Sequence, residues 1–169
     1  MVEREDGPSG NGAGKTRRFR ADEAPGQLER LVAVTGGLLL VVSYVLPWIE
    51  VTGETFPPGV DSLAGGDIAT VPELAVVVGG FAVVLSLLRW NEWSQGVVGL
   101  VGFLAVSMAL FVWNFVQSGS DLIEIGGVTA PPGAFDPSLG VWVVFGAGIA
   151  LMAAGFWSLV SDRFAPEAD

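Results

Sequence analysis

The sequence predicts an all-α integral membrane protein with four transmembrane helices in an up-down bundle. Three observations predict it: four apolar blocks without Asp, Glu, Lys or Arg, basic residues confined to one side of those blocks, and Trp residues grouped near their ends. Hydrophobic residues make up 51% of the 169 positions, a surplus that a soluble core of this size would not absorb.

The blocks are Leu31 to Ile49, Leu74 to Leu88, Val97 to Val116 and Leu139 to Val160. A hydrocarbon layer of about 30 Å needs roughly 20 helical residues. The first, third and fourth blocks have 19, 20 and 22 residues, and the second reaches spanning length when extended to Glu73 and Trp90. The expected spans are therefore about 31–49, 73–90, 97–116 and 139–160, within a membrane domain of residues 27–163. Residues 1–26 are rich in Gly, Pro and charge, which predicts a disordered cytoplasmic tail, and residues 164–169 form a second, short one.

All eight Lys and Arg residues fall on the side of the termini: Arg4, Lys15, Arg17, Arg18, Arg20 and Arg30 before the first span, Arg89 between the second and third, and Arg163 after the fourth. The loops 50–73 and 118–138 carry only carboxylates. Basic residues are retained on the cytoplasmic side, so both termini are expected there. Trp48, Trp113 and Trp142 fall at the outer ends of spans and Trp90, Trp93 and Trp157 at the cytoplasmic ends, the placement expected of interfacial anchors. The first apolar block begins late and closes with Pro47-Trp48-Ile49 before Glu50, not with a small-x-small cleavage site, so it is expected to be retained as a span. Arg17-Arg18-Phe19 resembles a twin-arginine signal, but Phe19 sits one place early.

Several chemistries are disfavoured by composition. With no Cys and no His, thiolate and imidazole catalysis and the usual zinc sites are excluded. A net charge of −10 argues against nucleic acid and against an anionic lipid surface as partners. Ser9 to Thr16 nearly spells a phosphate-binding loop, with Ser9 where Gly belongs. No strand pattern precedes it and no helix pattern follows Lys15, so a Gly-rich tail is the better reading. The spans contain no ionisable residue, and their hydroxyls, Ser43, Ser86 and Ser107 among them, can bond the carbonyl one turn earlier. Asp61 and Asp136, at equivalent places in the two acidic loops, are the pair best suited to a hard cation, against the simpler reading of a solvated acidic surface. No residue is assigned as catalytic, cofactor-binding or metal-ligating, and none of these groups is expected.

The two acidic loops share Pro-Pro-Gly, then Asp, then Ser-Leu: Pro57-Pro58-Gly59-Val60-Asp61-Ser62-Leu63, and Pro131-Pro132-Gly133 followed by Asp136-Pro137-Ser138-Leu139. Each precedes a span in which a Gly stands eleven residues before a Trp, Gly79 with Trp90 and Gly146 with Trp157. Two tandem helical hairpins would produce this pattern, and so would convergence on Pro-Gly loop chemistry; both remain open. Small residues predict close helix packing at Gly36 and Gly37, at Gly99 and Gly102, and along Gly146, Ala150 and Ala154, the last a candidate face for a membrane partner or a second copy.

Ser43-Tyr44-Val45-Leu46-Pro47-Trp48 closing the first span, the acidic Gly-rich loop after it and the four spans resemble the small uncharacterised four-helix membrane proteins of halophilic archaea. One Lys against seven Arg with 18 carboxylates is similar to the acidic style of such organisms. The resemblance implies a fold and no activity. Function is expected to be that of a non-enzymatic accessory or scaffold subunit of a membrane complex; the alternative is a small transporter or channel component acting as an oligomer.

The charge asymmetry has a direct test. Cys introduced at Ser62 or Ser120 in intact cells is expected to react with a membrane-impermeant maleimide, and Cys at Ser9 or Ala168 is not. Labelling of the tail positions alone would invert the topology.

Overall fold

The computed structural model describes residues 26–52, 61–68, 70–118, 123–125, 128–130 and 134–164. The tail with the near phosphate-binding loop, both Pro-Pro-Gly segments and residues 165–169 lie outside the described residues. In chain order the elements are α1 (Gln27–Val42), a 3-10 turn (Ser43–Val45), β1 (Pro47–Val51), β2 (Ser62–Ala64), a second 3-10 turn (Gly65–Asp67), α2 (Val71–Leu88), α3 (Glu92–Ser118), β3 (Ile123–Ile125), β4 (Val128–Ala130), β5 (Phe135–Pro137) and α4 (Leu139–Phe164). Four helical stretches are long and apolar enough to cross a membrane: Gln27–Val45, Val71–Leu88, Glu92–Gln117 and Leu139–Trp157.

These helices bury mainly small residues and turn most of their large ones outward. The buried positions of α1 are Ala33, Gly36, Gly37 and Leu40, and those of α2 are Pro72, Ala75, Gly79, Ala82 and Ser86, spaced three and four apart as one helix face requires. Leu38, Val77, Phe81, Leu87, Leu100, Phe103, Phe111 and Ile149 are exposed. Lipid is as apolar as Leu, so burying large side chains between helices gains little there, whereas Gly and Ala let backbones approach and make van der Waals contact.

The closest approaches pair glycines. A Cβ built on Gly37 would lie 2.8 Å from the carbonyl oxygen of Gly79, and one on Gly102 would lie 2.5 Å from that of Gly148. Gly155 likewise lies against Gly99, and Gly36 against Leu151 and the Ala147 carbonyl. Thus α1 rests on α2 and α4, α3 packs most extensively on α4, and α2 packs on α3 less than on α1. The expected packing at Gly36, Gly37, Gly99 and Gly102 is present. On α4 the close-packed glycines are Gly148 and Gly155, and Gly146 faces open space. Ala150 is half-buried and Ala154 buried, so Gly146, Ala150 and Ala154 do not form one uniform packed face. Gly79 and Gly146 therefore do not play matching parts: Gly148 is the counterpart of Gly79.

The end of α2 and the start of α3 are capped by side chains. Arg30 Nε donates to Ser86 O at 2.6 Å and its Nη2 to Leu87 O at 2.5 Å, placing a guanidinium on carbonyls that the last turn of α2 cannot satisfy itself. At the start of α3, Ser94 N donates to Asn91 Oδ1 and Asn91 N to Ser94 Oγ, both at 2.9 Å, a reciprocal N-cap. Within the spans, Ser43 Oγ donates to Leu40 O, Ser86 Oγ to Ala82 O and Ser107 Oγ to Phe103 O, as the sequence leads one to expect.

The all-α expectation is corrected at the acidic loops. The chain there folds as a three-stranded antiparallel sheet in the order β2-β1-β5 and a separate β3-β4 hairpin. Helix α1 ends at Val42, so Pro47, Trp48 and Ile49, counted by hydropathy in the first span, are strand. Pro47 offers no N–H and disfavours helix for Leu46 before it, and Trp48-Ile49-Glu50-Val51 then continues extended. Strands of three residues are too short for their alternation to stand out from Gly-rich loop composition.

Two glycines two positions apart test the packing. Gly148→Ala drives a methyl into the backbone of α3 and is expected to cost about 1–3 kcal/mol, read as a lower Tm in detergent. Gly146→Ala meets nothing and is expected to keep or slightly raise Tm, since Ala is the better helix former.

Candidate functional site

The end of the molecule that holds β1, β2 and β5 gathers the carboxylates the sequence singles out. Its foundation is Trp48, which is 0% exposed. Its Nε1–H donates to Ser43 O at 2.7 Å, Gly140 at the start of α4 lies directly against the indole, and Ser138 N donates to Trp48 O at 2.8 Å. Trp48 is therefore a buried strut between α1 and α4, which corrects its reading as an interfacial anchor. Among the other Trp, Trp93 and Trp157 are each 67% exposed, Trp142 is exposed and packs edge-on against Trp113 at 4.9 Å, and Trp90 is half-buried.

Alternation along β1 divides the sheet into two faces. Ile49, with Leu63 of β2 and Phe135 of β5, is buried against the helices. Glu50 points the other way, paired on one side with Ser62 and on the other with Asp136, and all three are exposed. Two carboxylates thus stand directly opposite each other across a strand pair, an arrangement that costs a few tenths to about 1 kcal/mol. One contact offsets it: Ser138 Oγ donates to Glu50 Oε1 at 2.6 Å, tying β1 to the entrance of α4. Further backbone bonds close the sheet edges, Val51 N to Asp61 O at 3.1 Å and Thr52 N to Ala134 O at 2.8 Å. Asp67 Oδ2 accepts from Ala64 N at 3.0 Å.

The fold does not bring Asp61 and Asp136 together, because β1 lies between them. Asp136 instead faces Glu50, which the sequence does not single out: apolar, charged, apolar at Ile49, Glu50 and Val51 is too short a run to mark a strand. Among the described residues no group of three or more carboxylates is placed to hold a metal ion. The exposed acidic face is what this end of the molecule presents chemically. No family model, curated protein or solved structure matches the chain.

Two substitutions separate the strut from the acidic face. Trp48→Phe removes an indole N–H and leaves space beside Gly140, and is expected to cost about 1–3 kcal/mol in detergent unfolding. Glu50→Gln keeps an acceptor for Ser138 and removes the like-charge opposition to Asp136, so its Tm is expected to match or exceed the parent's at low salt.

Proposed function

We propose that the chain is a non-enzymatic accessory or scaffold subunit of a membrane complex, its four helices forming an up-down bundle with both termini cytoplasmic and the acidic sheet outside. The observation that carries this reading is α4, whose outward side is furnished for a neighbour. Gly146 has open space around it and is flanked one turn away by exposed Trp142 and Ile149, with exposed Ala153 a turn further on. A large residue on another helix could seat at Gly146 between those side chains, as small-residue positions permit in membranes. Of the three positions expected to meet a partner, Gly146 is the one available; Ala150 would lie at the rim of the contact, and Ala154 supports the fold from within.

The interior supports a subunit over a self-contained conduit. Leu40, Ala75, Ala82, Val98, Ala105, Val144, Ala147 and Leu151 fill it with apolar side chains, so a transporter or channel would have to build its path between copies. The resemblance to the small four-helix proteins of halophilic archaea belongs to the same proposal.

Association is the measurement that tests it. Gly146→Leu is expected to leave the parent's Tm and monodispersity unchanged while releasing a co-purifying membrane protein extracted in mild detergent. Retention of that protein by the variant, or purification of the parent from its own membranes with nothing bound, would reject this interface.

A further inference from the structure

Of three cavities that border the helices among the described residues, the largest is the one that carries a cation. One of 150 Å³ between α3 and α4 is bounded by Trp113, Trp142 and Phe145 and has no charged group in its lining, and one of 180 Å³ between α1 and α4 is bounded by Glu29, Val32, Ala154 and Trp157, its charged group a carboxylate. The third, of 500 Å³, opens where α2 passes to α3, between Leu85, Leu88, Arg89, Asn91, Trp93 and Ser94. Those two helices pack on each other less than α1 packs on α2 or α3 on α4.

The depth of this cavity in a bilayer follows from the chain. Only Arg89, Trp90 and Asn91 separate two spanning helices, so the link stays at the membrane boundary whichever side the termini occupy. At that depth one wall offers hydrocarbon-facing surface, with Leu88 79% and Trp93 67% exposed. The other offers Arg89, exposed and without an ion pair among the described residues, in contrast to Arg30, whose guanidinium is committed to the end of α2. Asn91 contributes an amide NH₂, its Oδ1 being taken by Ser94 N. Glu92, next in sequence, does not line the cavity. An exposed cation and an amide donor beside an apolar trough match a molecule with an anionic head and a hydrocarbon tail.

The geometry points to a binding site for one phosphate-bearing anionic lipid, its head on Arg89 and Asn91 and a chain along Leu85, Leu88 and Trp93. A guanidinium binds a phosphate through charge-assisted hydrogen bonds, and an apolar trough selects against a free anion. The net charge of −10 disfavours adsorption to an anionic surface as a whole, which is a different matter from one headgroup held at one guanidinium. The lipid would bind whether or not a protein partner exists.

Native mass spectrometry of the detergent-solubilised full chain, titrated with dioleoyl phosphatidylglycerol, dioleoyl phosphatidylcholine or inorganic phosphate, tests the site. The parent is expected to retain one phosphatidylglycerol in preference to phosphatidylcholine and to hold it against excess phosphate. Arg89→Gln is expected to weaken retention about tenfold, as loss of a charged hydrogen bond implies, with Arg89→Lys intermediate. Trp93→Ala is expected to weaken both lipids, and Trp157→Leu, at a different cavity, neither. Equal retention of the two lipids by the parent, displacement by inorganic phosphate, or unchanged retention in Arg89→Gln would each overturn the proposal. Tm of every variant without lipid separates loss of binding from loss of fold.

Discussion

Backbone-to-backbone contact between glycines is the constraint on which the rest of this molecule depends. Inside a bilayer the burial of Leu or Phe between helices brings no release from water, so helices hold together by how closely they can come. Gly37 against Gly79 fixes α1 on α2, Gly102 against Gly148 and Gly99 against Gly155 fix α3 on α4, and Gly36 against Leu151 joins the two pairs. With these distances set, few large side chains, Leu40 and Leu151 among them, fit inside, and most of the others turn outward. The hydroxyls of Ser43, Ser86 and Ser107 fall under the same rule, each bonding to a carbonyl one turn earlier.

The sheet extends that economy beyond the helices. Strand β1 cannot be packed as a helix after Pro47, and its backbone groups need partners. The order β2-β1-β5 supplies them from the loops preceding α2 and α4, so one strand ties together segments that are distant in the chain. Trp48 and Ser138 then fasten the sheet to the helices from within and from the side. At the opposite end Arg30 closes α2 in a comparable way, with a cation on terminal carbonyls. Both ends of the helices are therefore stapled by residues that hydropathy alone would treat as an aromatic anchor or a topogenic charge.

How much of this could be read in the sequence differs by element. Four helices long and apolar enough to cross a membrane were legible because 15 to 22 consecutive uncharged residues is a signal that few soluble structures imitate. Gly99 and Gly102 were legible as packing residues because they recur one turn apart. Gly148 and Gly155 were missed because they are seven apart, while Gly146, Ala150 and Ala154 have the more conspicuous spacing and only part of the packing. The sheet was illegible for another reason: strands of three to five residues bounded by Gly and Pro show no period, and their pairing depends on segments far apart in the chain. Trp48 shows the same limit, since an indole at a span end looks alike from sequence whether it meets lipid headgroups or the backbone of Gly140. The acidic face followed the sheet into obscurity, because Glu50 and Asp136 become neighbours only through its register.

The placement of β1 between β2 and β5 also has a temporal side. On a chain made from its N-terminus, β1 and β2 are available as soon as the first loop has emerged, but the other edge of β1 waits until α3 and the segment up to Pro137 have been synthesised. Until then the strand carries a row of open donors and acceptors at the membrane surface, where a second nascent chain could pair with it. Arrival of β5 covers that edge and draws the start of α4 under Trp48 in the same event. The strand thus gains its second partner only after α3 and the segment up to Pro137 have been made.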